Sequence, residues 1–382
     1  MQVERIFTNA KVVLADEVIR GTIVVQDGAI KDVSEGLSAL PQAQDLGGNY
    51  LMPGFVELHT DNLERFMNPR PGVEWPSTSA ALAHDAQLIS SGITTVFDAL
   101  SIGDVDPAQK RLKQLPHMIE AIASTTVDNI LRVEHFLHLR CEVSHEQTLN
   151  VFNELVESNP SLRLVSVMDH TPGQRQFVQY EKYREYYQGK YHLSDEEMEA
   201  FIVRQEANGA KYSDMFRKEI VSICQDKGIA LASHDDATLE HVEESASFGM
   251  SIAEFPTTEI AAMRSHELGL KVLMGAPNIV RGGSHSGNIA AADLARKGVL
   301  GILSSDYYPS SLLRAVKGLV DMDDGYTLPK AVSTVSLAPA KAVNLDDRGQ
   351  IKNGLRADLI EVKEVGEQFV VNRVWRQGQR VF

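Results

Sequence analysis

Apolar positions along the 382-residue chain fall into two kinds of pattern. Over the first fifty or so residues they form short strand-like runs. "KVVLADEVIRGTIVVQDGAIKDV" holds two β-rich stretches and then Asp27-Gly28, a pair that accepts the positive φ of a tight hairpin. The C-terminal "GLRADLIEVKEVGEQFVVNRVWRQGQRVF" has the same texture, which predicts that both ends meet in one small β domain. Between them stand "FVELHTD", "ITTVFDAL", "VEHFLHLRCEV", "LVSVMDH", "IALASHDD", "SIAEFP", "VLMGAPN" and "GILSSDYY", separated by helix-length polar segments. Eight such runs alternating with helical patterns predict an α/β fold, a parallel (β/α)8 barrel. The connection between His170 and Ile229 is unusually long. Ser194 and Glu197 form a capping-box pattern that opens a helix within it. Its front part mixes Tyr with Lys and Arg, as in an active-site cover or a solvated helical hairpin.

Most runs end in polar residues, and the C-terminal strand ends of such barrels carry the chemistry. His59, Asp61, Glu142, His170, His234 and Asp306 stand at the ends of five of them. Imidazoles and carboxylates converging there are ligand types for divalent ions. His59 and Asp61 lie two positions apart and so share a strand face; an N-cap role for Asp61 is the bland alternative. In "HFLHLRCEV" the residues His138, Arg140 and Glu142 alternate onto one face, too polar for an apolar layer, which directs them into the lumen. Glu142 is then a metal-binding or metal-bridging carboxylate, with Arg140 and His138 deeper, orienting it or contacting substrate. Asp306 is the candidate catalytic base for a water acidified by a cation, against an N-cap role for the next helix. The glycine-rich "GAPNIVRGGSHSGN" places Arg281 and His285 where backbone N–H groups and a guanidinium can meet an anion. Arg175 is a second phosphate contact, and Lys182, Arg184 and Lys190 add charge from the long connection.

Composition narrows the partners. Hydrophobic residues at 43 % and charged residues at 23 % describe a globular protein. A net charge of −15 argues against a nucleic-acid partner and requires that any anionic substrate meet local cations. No apolar stretch has the length of a membrane span, and the first residues lack a signal-peptide core. Two cysteines exclude a disulfide scaffold and are consistent with a cytoplasmic location.

Taken together, "LMPGFVELHTDNLE", "LHLRCEV", "MDHTPGQRQF", "YREYYQGKY", "ALASHDDAT", "IAEFPTT", "LMGAPNIVRGGSHSGN" and "LSSDYYPSSLL" closely resemble the ribosyl-triphosphate diphosphatases of bacterial phosphonate use, within the amidohydrolase superfamily. The resemblance spans essentially the whole chain. It implies a barrel over 53–344 with a helical insertion at about 175–217, and a small β-sandwich from 1–52 plus 345–382. It further implies one or two divalent ions and hydrolysis of an α-D-ribose 1-alkylphosphonate 5-triphosphate to the 5-phosphate and diphosphate, with Asp306 accepting a proton. Homo-oligomers and association with other carbon–phosphorus lyase pathway enzymes are compatible with it. The chain departs from the superfamily's usual His-x-His in having His59-x-Asp61, whose oxygen ligand favours Mn²⁺ or Mg²⁺ while leaving Zn²⁺ open. Its two later histidines follow the fourth and fifth runs, one earlier than is usual in the superfamily. The alternatives are a metal-dependent C–N hydrolase, such as a deacetylase or cyclic amidase, and a non-catalytic barrel.

Overall fold

A computed structural model describes residues 4–103, 110–284, 287–322 and 325–382. Before the barrel come β1 (Glu4–Val13), β2 (Val18–Gln26), β3 (Ala29–Glu35), β4 (Ala43–Asp45) and β5 (Tyr50–Pro53). The barrel strands are β6 (Phe55–Thr60), β7 (Ile93–Ile102), β8 (Glu134–Glu142), β9 (Leu162–Met168), β10 (Ala230–His234), β11 (Ile252–Glu254), β12 (Lys271–Gly275) and β13 (Leu300–Ser304). The chain ends with β14 (Leu359–Val365), β15 (Gln368–Arg376) and β16 (Gln379–Arg380).

The two chain ends share one sheet because β14 pairs antiparallel with β5, Leu359 opposite Pro53. Its order is β16-β15-β14-β5-β1-β2-β3, with β4 on β1, so the expected sandwich is one continuous sheet. The sheet curls over itself. Phe7 of β1 and Trp375 of β15, with two strands between them in the order, bring their rings to 4.7 Å. Gly54 joins this sheet to the barrel at a point where a Cβ would fall 2.2 Å from the Thr94 hydroxyl, so only glycine fits.

All eight apolar runs become barrel strands, hydrogen-bonded in chain order and parallel. Leu58, Phe97, Leu164, Ala232, Ile252, Leu273 and Ile302 form one buried cluster, joined by Phe136 and by Ala340 and Val343 at the end of the helix Leu337–Ala342. Two positions along the same strands stand His138, Ser166, His234, Glu254 and Ser304. The strand period of two therefore stacks a polar layer on an apolar one. Among the described residues, the seam between β13 and β6 is closed by one isolated bridge, Thr60 to Asp306. Buried Glu57 reinforces it by accepting from the Ser304 hydroxyl (2.8 Å), the Ser305 N–H (2.6 Å) and the His59 N–H (2.7 Å). No helix among the described residues is long and apolar enough to cross a membrane.

Outside the barrel wall, Asp98 of β7 receives His84 Nε2 at 2.8 Å and His135 Nδ1 at 2.7 Å. Asp85, on the helix Ser77–Ser90 with His84, lies 3.6 Å from His135 Nε2 and accepts from the Val133 N–H. Burial alone would lower the His135 imidazole, but Asp98 and Asp85 raise it from its ordinary value to about 9. Its folded value exceeds its unfolded one. The protonated cluster thus contributes fully below about pH 6.5, and that contribution is lost as pH rises through about 9. The stability difference between wild type and His135→Gln, from thermal unfolding, should accordingly shrink over that interval. A difference independent of pH would contradict the charged assignment.

Candidate metal centre and active site

A cavity of about 380 Å³ opens at the C-terminal strand ends. His59, Asp61, Glu142, His170, His234 and Asp306 all line it, so the six residues singled out as ligands converge on one mouth. Asp61 precedes the helix Asn62–Met67 but makes no side-chain cap bond, and the helix Ser311–Asp321 begins after Ser310 rather than Asp306. Asp61 thus holds the N-cap position without capping through its carboxylate, and Asp306 is not the cap of the helix that follows it. His170 follows the fourth barrel strand and His234 ends the fifth, as their places in the sequence predicted.

Orientation of the imidazoles rests on a residue that sequence reasoning missed. Glu254, fully buried at the end of β11, meets His59 Nδ1 with one oxygen (2.7 Å) and His234 Nδ1 with the other (2.8 Å). Burial would raise this carboxyl, but the imidazoles of His59 and His138 and the hydrogen bonds from His234 and His59 hold it well below the ordinary range. An ionised Glu254 accepts from both Nδ1–H groups, which leaves each Nε2 lone pair free to ligate. The two rings stack at 5.8 Å, with Phe255 edge-on to both. His170 Nδ1 and Glu142 Oε2 face one another at 2.5 Å. Ligands about 2.1 Å from a tetrahedral ion sit roughly 3.4 Å apart, so this pair would have to part by about 1 Å to share one.

Asp235, also missed, adds a carboxylate between two of these rings. Its Oδ2 lies 3.4 Å from His234 Nε2 and 3.8 Å from His170 Nε2. The run "SHDDA" carried the signal, an acid directly beside the strand-end histidine. Backbone geometry explains how it turns inward. Asp235, Phe255 and Asp306 have φ of 59°, 54° and 56°. Each nevertheless keeps its N–H bonded to the neighbouring strand, at Glu254 O, Leu273 O and His59 O respectively. Left-handed non-glycine residues at three strand ends are a strained arrangement of the kind found at functional sites. Burial and the like charge of Asp61 push the Asp306 carboxyl above its ordinary value, opposed by His59, Arg140 and His234.

Among the predicted substrate contacts, Arg140 and Arg281 line the cavity. Neither has an ion-pair partner among the described residues, and the buried Arg140 Nε lacks a hydrogen bond. Three others do not reach the cavity. His138 donates from Nδ1 to Leu58 O at 2.9 Å and accepts the Ser166 hydroxyl at Nε2; burial drives it down to about 3, so it is a neutral prop 5.3 Å beneath the His59 ring. Arg175 is buried against Asp236 and Glu244, its charge already used. Lys182 points to solvent from the helix Tyr180–Tyr191. His285 lies outside the described residues. Arg111 and Lys190 join the lining instead, Arg111 paired with Glu64 at 3.0 Å.

The donor set fits divalent ions. Imidazole nitrogens and carboxylate oxygens gather within reach of one another, in the groups His170–His234–Asp235 and His59–His234–Glu254. A (β/α)8 barrel with these ligands at its mouth defines a hydrolase scaffold built around metal-activated water. The chain belongs to the amidohydrolase family, whose model matches residues 50–381. It is 53% identical, over 99% of its length and all of the relative's, to the alpha-D-ribose 1-methylphosphonate 5-triphosphate diphosphatase of Escherichia coli K12. Solved structures share the fold at low identity. A 5-methylcytosine deaminase from Klebsiella pneumoniae aligns with TM-score 0.66 at 16% identity, covering 99% of this chain and 97% of that one. An N-acetylglucosamine-6-phosphate deacetylase from Pasteurella multocida aligns with TM-score 0.63 at 14% identity, covering 99% of each chain.

Proposed function

We propose that this protein hydrolyses an α-D-ribose 1-alkylphosphonate 5-triphosphate to the 5-phosphate and diphosphate, in phosphonate catabolism. The observation that carries the reading is the company kept by the candidate ligands. Arg140, Arg281 and Lys190, none with an acidic partner among the described residues, face the same cavity in a chain of net charge −15. An amide or nucleobase substrate has no use for that concentration of positive charge. A substrate with a triphosphate at one end and a phosphonate at the other needs it, because each phosphoryl or phosphonyl oxygen must leave water for a compensating donor. The 53% identity to the Escherichia coli diphosphatase supports the same substrate class.

One or two divalent ions held by His59, Asp61, Glu142, His170, His234, Asp235 and Asp306 would supply Lewis acidity toward a phosphoryl oxygen and lower the pKa of water. The chain's own residues do the remainder. Glu254 fixes two imidazoles in their ligating tautomer. Asp306, with its carboxyl raised, takes the proton as water attacks the α phosphorus and the α–β anhydride bond breaks. Arg140 and Arg281 hold phosphoryl oxygens of the bound triphosphate. Mn²⁺, Mg²⁺ and Zn²⁺ all suit this mixed donor set, with the Asp61 oxygen favouring the first two. A cytoplasmic location, a homo-oligomer and contact with other enzymes of the pathway accord with this role.

Because Arg281 binds substrate without moving protons, Arg281→Ala should raise KM for the triphosphate about tenfold while lowering kcat less. A fall in kcat larger than the rise in KM would give Arg281 a transition-state role.

A further inference from the structure

The long insertion builds part of the cavity lining, and that part differs in kind from the part supplied by the segment after β12. Phe177, Tyr183, Tyr187, Met198, Phe201 and Ile202 form a small core that is the insertion's own. It packs the helix Tyr180–Tyr191 against the helix Asp195–Lys227, which opens with the expected capping box at Ser194 and Glu197. Phe177 lies 5.9 Å from the His170 ring, so this core is anchored directly to the candidate metal centre. Tyr186, Tyr187 and Tyr191 reach the cavity from it. The Lys190 ammonium stands 5.4, 6.0 and 5.3 Å from their ring centroids. Aromatic faces hold a cation in place without neutralising it. Lys190 has no acidic partner among the described residues, so a placed and uncompensated charge borders the site. The segment after β12 lines the same cavity differently, with Asn278, Arg281, Gly283, Ser284 and Asn288 offering polar groups and no ring.

The two ends of the substrate differ in the same way. A polyphosphate tail exposes only oxygen. A ribosyl phosphonate end exposes the C–H faces of a sugar, an alkyl group and one anionic phosphonate. We propose, resting on the reading above, that the Lys190–tyrosine wall binds the ribosyl phosphonate end. The ammonium takes the phosphonate oxygens and the rings pack against sugar and alkyl C–H, while the Arg281 side takes the diphosphate that leaves. The insertion is thus the part of the chain that selects a phosphonate-bearing triphosphate over others.

Steady-state kinetics of Lys190→Ala on two substrates test this: ribose 1-methylphosphonate 5-triphosphate, and ribose 5-triphosphate without the phosphonate. Lys190 is solvent-exposed, so folding is not at stake. The variant should raise KM for the phosphonate substrate about tenfold more than for its phosphonate-free counterpart, with Lys190→Arg restoring much of the difference. An equal rise for both substrates would place Lys190 on the polyphosphate and overturn the proposal, as would no change for either. Failure of the wild type to release diphosphate from either substrate would instead overturn the functional reading beneath it.

Discussion

Asp306→Asn should lower kcat for diphosphate release by about 10²–10⁴-fold while KM and bound metal stay within a few fold of wild type. The substitution keeps shape and removes the ability to take a proton, while its amide oxygen can still ligate. It should also leave the backbone undisturbed. Asp306 has φ 56°, a region that asparagine enters as readily as aspartate, and its N–H bonds to His59 O at 3.1 Å, a contact any residue can make. The large effect follows from position. Asp306 is the carboxylate on the last barrel strand, raised by burial and by Asp61, and it faces the same cavity as the histidines. Activity within a few fold of wild type would remove it from the mechanism.

Glu254→Gln should weaken divalent-metal binding by about 10–100-fold, read by titration of the metal-free protein, with activity falling in parallel at limiting metal. Glutamine has one acceptor oxygen where glutamate has two. It can therefore keep one imidazole in the ligating tautomer but must present N–H to the other. Both His59 and His234 depend on this residue, at 2.7 and 2.8 Å, so the loss reaches two ligands through a group that itself stands behind them. Unchanged affinity would reduce Glu254 to filling space in the polar layer.

Much of this was legible in the sequence, and what was missed has physical causes. Each barrel strand announced itself as an apolar run ending in polar residues, because alternate positions of a barrel strand face a packed interior until the mouth is reached. The six candidate ligands stood at those ends, so their convergence followed from the fold. Glu254 escaped notice because its role depends on two contacts made between strands, to residues 195 and 20 positions away, and one carboxylate after "IA" gives no hint of either. Arg175 was misread for the complementary reason: a cation counts as a phosphate contact only if no acid reaches it first, and Asp236 and Glu244 do. His138 was correctly directed deep into the lumen, but there it bonds Leu58 O and Ser166 and packs on the His59 ring rather than orienting Glu142 or contacting substrate. The terminal strands were recognised, yet pairing of β14 with β5 into one curled sheet is a matter of hydrogen-bond partners, which alternation does not encode.

The central claim is that one ring of imidazoles and carboxylates, with cations beside it in the same cavity, cleaves a phosphoanhydride with the help of bound metal. Phosphorus NMR of the reaction with ribose 1-methylphosphonate 5-triphosphate tests it most directly, using the protein before metal removal, after it, and after Mn²⁺ or Zn²⁺ is restored. Diphosphate and the 5-phosphate should appear together, stop when metal is removed and return with it. Release of orthophosphate in place of diphosphate, or a rate indifferent to metal removal, would contradict the account.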